Sequence, residues 1–348
     1  MIGLARWRLL GLGWVSIFAV VQSAASQETL TRFEFRQPLM GTEFSLILYT
    51  TSNTLATQAS RAAFDRIEQL NKTLSDYDPE SEAMRLCARA GDGQYVDVSA
   101  DLYSVLERSL AIAQKTGGAF DPTVGPVVRL WRRARRNRQL PNSDLLEKAR
   151  SLVSYKQIKL DRHHARARLT TPGMKLDFGG IAKGYAADEA LKTLKKQGIH
   201  RALVAAAGDI VCGEPPPGET AWKVEVAALK GQGGTTGPSP ILLLKNQAVS
   251  TSGDTEQFVE IDGVRYSHIV DPRTGIGVKG RSSVTVIAPE GALADSLATA
   301  ASVLGPIEGT KLVENTANTA SYFAVVEQDT VEITKSKSWS SVPRASNP

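Results

Sequence analysis

Four short runs in this chain carry residue types that could do chemistry. The first, LDFGGIAKGYAAD from Leu176 to Asp188, leads an apolar-flanked Asp177 into Gly179 and Gly180 and then into a helix bearing Lys183. Glycines at a helix entrance let backbone amides approach an anion, and the helix N-terminus favours its charge. Lys183 would add a point charge for a phosphate. The spacing matches neither the Walker pattern nor GxGxxG, and a plain tight turn before a packed helix reads the same way. The second run, ADSLATAASVLG, sets Asp295 and Thr299 four residues apart, on one face of a helix. Two oxygen ligands on one face suit a hard cation such as Mg²⁺, which takes one or two carboxylates and leaves its other positions to water and phosphate. The alternative is an aspartate answering the helix dipole in a helix packed by alanines.

The third run, Val249 to Gly275, has a small-residue turn at Ser250 to Gly253, a hairpin turned by Asp262 and Gly263, then His268 and a DPRTG turn. His268 is one of four histidines, and an imidazole titrates where a general base must work, although a lone histidine is more often structural. The fourth, GGAFDPTVGP from Gly117 to Pro126, is a stiff loop around Ala119, Phe120 and Asp121 that either serves a ligand or turns a corner.

These runs need elements to position them. Phe44, Leu46 and Leu48 alternate as in a strand, and so do Trp222, Val224 and Val226. Ala59, Ala63, Ile67, Leu70 and Leu74 predict a helix with one buried face, capped by Asn53; Leu102, Val105, Leu106, Leu110 and Ala113 predict another after Ser99, stopped by Gly117 and Gly118. Further helices are expected from about Ile181 to Gln197, closed by Gly198, and from about Leu293 to Leu304, closed by Gly305. Strands cluster without crossover helices between most of them, so the expected class is α+β. Lys230 to Pro240 reads as an exposed loop, and residues 335–348 as a polar flexible tail with little to bury. No repeat of solenoid period is present.

Arg6 and Arg8, an apolar run of 13 residues from Leu9 to Val21, and the small residues Ser23 to Ser26 have the layout of a signal peptide over residues 1–26. The run is shorter than the ~20 residues of a spanning helix, and no later stretch is long and apolar enough to span. A periplasmic product is therefore expected. Removing those 26 residues leaves 322 and takes Lys+Arg from 41 to 39 against 36 acids, too mild an excess to imply nucleic acid. Six arginines between Arg129 and Arg138 read as a solvated face, with an acidic partner or membrane surface as the alternative; no nucleic-acid motif accompanies them. Cys87 and Cys212 could pair after export but cannot make a disulfide-dense scaffold.

Taken together and in order, these four runs, with PLMGTEFSL around Met40 and LSDYDPESE around Tyr77, resemble the ApbE family of FAD:protein FMN transferases from about Pro38 to Gly305. The resemblance implies an α+β architecture of the T-fold type, with mixed or antiparallel sheets and packed helices, spanning residues 27–334. It implies Mg²⁺, FAD as substrate, and transfer of FMN through a phosphoester bond to a Thr or Ser hydroxyl of a target flavoprotein with release of AMP. It places Asp295 and Thr299 on the metal through their side chains and Gly180 through its carbonyl. It places Met40, Tyr77, Ala119, Phe120, Asp121, Asp177 and Lys183 against FAD, and His268 there too, at the position of the base. Thr255 departs from the aromatic residue frequent in the family, and Cys87 from its frequent Asn. The same residues would allow hydrolysis of FAD to FMN and AMP, or flavin binding without catalysis.

Overall fold

Alternating burial along the strands sorts the chain into layers. The computed structural model describes residues 29–230, 236–253, 257–328 and 330–345; the expected signal peptide and Thr255 lie outside them. Strands β1 (Thr31–Leu39) and β2 (Thr42–Thr50) precede helices α1 (Asn53–Leu74) and α2 (Glu82–Ala88), then β3 (Val96–Asp97), α3 (Ala100–Lys115), α4 (Gly125–Asn137) and α5 (Ser143–Arg150). Next come β4 (Ile158–Asp161), β5 (Arg166–Leu169), α6 (Ala182–Lys196), β6 (Ala202–Ala206), β7 (Asp209–Cys212), β8 (Trp222–Glu225), β9 (Ile241–Leu244) and β10 (Ala248–Gly253). The chain continues through β11 (Phe258–Ile261), β12 (Val264–Val270), β13 (Gly277–Lys279), β14 (Ser282–Ala288), α7 (Gly291–Glu314), β15 (Ala320–Glu327) and β16 (Thr330–Lys335).

Eight of the strands form one sheet in the order β1-β2-β6-β7-β10-β14-β15-β16, with every neighbouring pair antiparallel. Phe44, Leu46 and Leu48 of β2 face the main core beneath α1, α6 and α7, whereas Ile47 and Tyr49 face a second core with Trp222, Leu242 and Trp339. Period-two alternation thus lets one strand serve two cores. A third, smaller core joins α4 and α5 to the β11–β12 hairpin through Trp131, Val259 and Tyr266. That hairpin turns at Asp262 and Gly263, both at positive φ, as its sequence predicts. The expected α+β class holds.

Several expectations are corrected. Ser52, one residue earlier than Asn53, caps α1 by accepting the Leu55 N–H at 3.1 Å. The helix expected to close at Gly305 does so, at φ 78° and ψ 177°, but a second helical segment follows directly from Pro306 to Glu314, so that α7 is two helices joined at a kink. Pro306 needs no N–H partner, so the break falls where the ladder would be lost anyway. Nor is the C-terminal segment a polar tail throughout: Lys337–Ser341 forms a 3₁₀ turn that buries Trp339 beside Tyr322. Both cysteines are buried free thiols, Cys87 in the main core and Cys212 in the second. Burial pushes Cys87 up and Cys212 to about 12, so neither supplies a thiolate. Among the described residues no helix is long and apolar enough to cross a membrane.

The N-terminal turns of α6 and α7 meet backbone to backbone. A Cβ on Gly184 would stand 2.2 Å from the Gly291 carbonyl oxygen, and one on Gly291 would stand 2.5 Å from that of Gly184. One turn further along α6, Asp188 caps α7: Oδ1 accepts the Gly291 N–H at 2.7 Å and Oδ2 the Ala292 N–H at 2.9 Å. Glu290, the residue at the cap position itself, makes no capping bond and pairs with Arg108 instead.

Gly184→Ala must push the helices apart, and denaturant unfolding should show a loss of about 3 kcal/mol, the upper range for overpacking. Burial raises the Asp188 carboxyl to about 6 from an ordinary 3.8, although its two backbone donors lower it. The folded chain therefore holds this proton to higher pH than the unfolded one, and the stability it contributes is full below pH 3.8 and lost as pH rises through about 6. Asp188→Asn removes that component. The wild-type advantage over the variant should shrink by roughly 1–3 kcal/mol between pH 4 and pH 7.

Candidate functional site

The glycine crossing aligns side chains from three elements. Lys183, one residue before Gly184, places its Nζ 2.9 Å from Asp209 Oδ2 and 3.6 Å from Asp295 Oδ2. Both carboxylates are buried. Asp209 begins β7 and is steadied by Ser250 of β10, whose hydroxyl donates to Oδ1 at 2.5 Å. Burial, reinforced by Asp209, raises the Asp295 pKa against the pull of Lys183. Burial also opposes the Lys183 charge, but Asp295 and Asp209 outweigh it and hold the ammonium above the usual lysine range.

A cation can be tested against this place by its donors. Thr299 faces the glycine turn so closely that a Cβ on Gly180 would lie 2.7 Å from its Oγ1. Gly184 lies in the first turn of α6, where a backbone N–H has no partner within the helix, and it donates to Asp295 Oδ2 at 3.2 Å. Among the described residues no backbone N–H reaches the Gly180 carbonyl, which leaves its lone pairs uncommitted. Carbonyl, hydroxyl and carboxylate oxygens together are the hard donors that Mg²⁺ takes, so these residues fit such an ion. No cluster of three or more His, Cys, Asp or Glu suited to a metal occurs among the described residues. This donor set differs from a histidine or thiolate site.

A second group lies on the other side of Gly179. Asp177 Oδ1 accepts the Gly179 N–H at 2.8 Å, and Oδ2 accepts from Arg132 at 3.0 Å. Arg132 also pairs with Asp76, and its guanidinium carbon lies 4.1 Å from the centre of the Tyr77 ring. The basic run is therefore not merely a solvated face: Arg132 turns inward from α4. Burial first, then Asp76, raises the Asp177 pKa, and Arg132 counters them. The Asp177 N–H donates to the Pro122 carbonyl at 2.8 Å, so the Ala119 to Asp121 loop adjoins this group.

That loop shapes the site with its backbone more than its side chains. Ala119 and Phe120 are buried, and Asp121 accepts from the Thr123 N–H at 2.8 Å, the Thr123 hydroxyl at 2.6 Å and the Tyr155 N–H at 2.8 Å. A carboxylate so engaged is a loop staple. Burial nevertheless raises its pKa. His268, half-buried on β12, has Nδ1 3.1 Å from the Gln257 carbonyl oxygen. A carbonyl only accepts, so Nδ1 carries a proton toward it. Arg135 reaches the Gln257 side chain at 3.1 Å, tying this strand to α4. Met40 occupies the β1–β2 turn at φ 51°, unusual for a residue with a side chain. No hydrogen bond or ring contact among the described residues ties it to the other groups.

The family model described as "ApbE family" matches residues 40–323. The chain belongs to the ApbE family. An FAD:protein FMN transferase of Treponema pallidum (strain Nichols) is 32% identical over 319 residues, covering 86% of this chain and 85% of that protein. One from Escherichia coli (strain K12) is 31% identical over 271 residues, 74% of each. The solved flavin transferase ApbE from Vibrio cholerae aligns with a TM-score of 0.78 at 26% identity, over 90% of this chain and all of that one (100%).

Within this ApbE chain the structure brings Gly180, Lys183, Asp295 and Thr299 together, and joins Tyr77 to Asp177. Sequence reasoning missed Asp209, Ser250, Asp76 and the inward turn of Arg132. A lone acid in the apolar run ALVAAAGDIVC was the available signal for Asp209; nothing local marked Arg132 apart from its neighbours. Removing the Lys183 charge leaves two buried carboxylates facing each other. Lys183→Met should lower unfolding free energy by about 3–5 kcal/mol in denaturant titration, and a loss under about 1 kcal/mol would show that the pair is not held by this ammonium.

Proposed function

We propose that this chain transfers FMN from FAD to a Thr or Ser hydroxyl of a target flavoprotein, releases AMP, and does so with Mg²⁺ in a bacterial-type periplasm. The observation that carries the proposal is the contact of the glycine turn with α7, which sets Gly180 against Thr299 and brings Lys183 and the Gly184 N–H to the Asp295 carboxylate. The names of the relatives support the transfer of FMN to protein. The signal-peptide layout of residues 1–26 supports export.

Gly180, Asp295 and Thr299 would hold the ion, which when bound supplies Lewis-acid charge to the diphosphate. Lys183, pinned by Asp209, contributes a fixed positive charge for the same phosphates, and the first turn of α6 adds its dipole. Tyr77 offers an aromatic face to the flavin, and Asp177 an acceptor. His268, oriented by the contact of its Nδ1 with the Gln257 carbonyl, takes the proton of the incoming hydroxyl as that oxygen attacks phosphorus and the bond to AMP breaks. Positioning and electrostatics carry this reaction without a covalent enzyme intermediate.

Co-expression with a candidate acceptor domain and intact-mass spectrometry tests it: the acceptor should gain the mass of one FMN. Asp295→Ala should abolish Mg²⁺-dependent transfer with the fold retained, and His268→Ala should slow it by about 10²–10⁴-fold. Free FMN with an unmodified acceptor would make the enzyme a hydrolase, and intact FAD after long incubation with Mg²⁺ would reduce it to a flavin binder.

A further inference from the structure

The basic run on α4 is a solvated face by composition, yet Arg132 is only 19% exposed in its side chain. Its guanidinium joins two separate stretches of chain to α4. One edge meets Asp76 and the other Asp177, while the planar face lies against the ring of Tyr77. Asp76 and Tyr77 come from the loop after α1, and Asp177 from the segment that enters α6. Tyr77 is 75% exposed, the most open large aromatic side chain among the described residues. With one ring face covered by the guanidinium, the opposite face is left to solvent. An exposed tyrosine ordinarily samples several rotamers; a cation stacked on one face, itself fixed by two carboxylates, selects one.

The charges follow the same logic. Two carboxylates brought together and partly buried repel each other, and burial raises the pKa of Asp177. A guanidinium stays protonated under all ordinary conditions and can serve both through separate N–H pairs, while an ammonium has neither the fork nor a stacking face.

We propose that Arg132 is a positioning residue for the flavin half of FAD: it clamps Tyr77 as a one-faced platform for the isoalloxazine and fixes the Asp177 carboxyl beside it. This rests on the reading of Tyr77 and Asp177 as flavin contacts. It assigns the inward arginine of the basic run to recognition of the flavin, leaving the nucleotide and diphosphate to Lys183 and the glycine turn. Loss of Arg132 should therefore weaken ligands that carry the flavin and spare those that lack it.

The test measures Kd for FAD by quenching of flavin fluorescence and Kd for ADP by calorimetry, both with Mg²⁺ present. The proteins are the wild type, Arg132→Ala, Arg132→Lys, Tyr77→Ala and the double variant Arg132→Ala with Tyr77→Ala. Arg132→Ala should weaken FAD by about tenfold and ADP by less than about twofold, in line with the loss of a stacked cation and a charged hydrogen bond. Arg132→Lys should weaken FAD by about threefold or more, because it keeps charge but loses the planar face. This milder variant carries the test if Arg132→Ala does not fold. In the Tyr77→Ala background, removing Arg132 should cost FAD clearly less than it does alone. Equal weakening of FAD and ADP, or unchanged FAD affinity, would make Arg132 a structural ion pair and overturn the proposal. A wild type that binds no FAD would instead overturn the reading of the whole site.

Discussion

Two glycines set the geometry on which everything else in this site depends. Where Gly184 and Gly291 touch, neither α6 nor α7 can carry a side chain, and the helices approach more closely than packed side chains allow. That approach lets Lys183 reach Asp295, gives the unpaired first-turn N–H of Gly184 the same carboxylate as its acceptor, and sets Thr299 against Gly180. Asp188 completes the joint by capping α7 from α6. One short segment of α6 thus supplies the contact surface, the cap and the charge for the start of α7.

Charge is organised in two similar groups on either side of Gly179 and Gly180. In each, one cation serves two carboxylates: Lys183 with Asp209 and Asp295, and Arg132 with Asp76 and Asp177. With all members ionised each group carries one net negative charge, which a divalent cation can offset in the first. The chemical difference between the two cations matters. The lysine is a compact point charge suited to phosphate oxygens, and the arginine is a planar fork suited to joining carboxylates and a ring. The site is therefore graded from a polar end around Lys183 and Asp295 to an aromatic end at Tyr77.

The antiparallel sheet holds these groups in place. Asp209 and Ser250 stand on neighbouring strands β7 and β10 in direct register, so their hydrogen bond is a cross-strand pair fixed by the ladder. His268 sits on the separate β11–β12 hairpin, anchored to α4 through Trp131 against Tyr266 and through Arg135 to Gln257. His268 is thus held relative to the Asp295 group by α4 and by the packing of β12 against α7.

The local signals in the sequence were strong where a single element decides the outcome. Alternation in β2, the helical period of α1 and α3, the Asp262-Gly263 turn and the four-residue spacing of Asp295 and Thr299 are short-range patterns, and each survives in the fold. Six motifs in register were enough to indicate the family. Tertiary structure decided what no local pattern contains. It brought Asp209, remote from Lys183 along the chain, into contact with it, and selected Arg132 from six similar arginines. It also spent the Asp121 carboxylate on its own loop and buried Trp339 in a segment that reads as polar. Such outcomes depend on which faces meet after packing, a matter of long-range contact and desolvation that residue type and spacing do not encode.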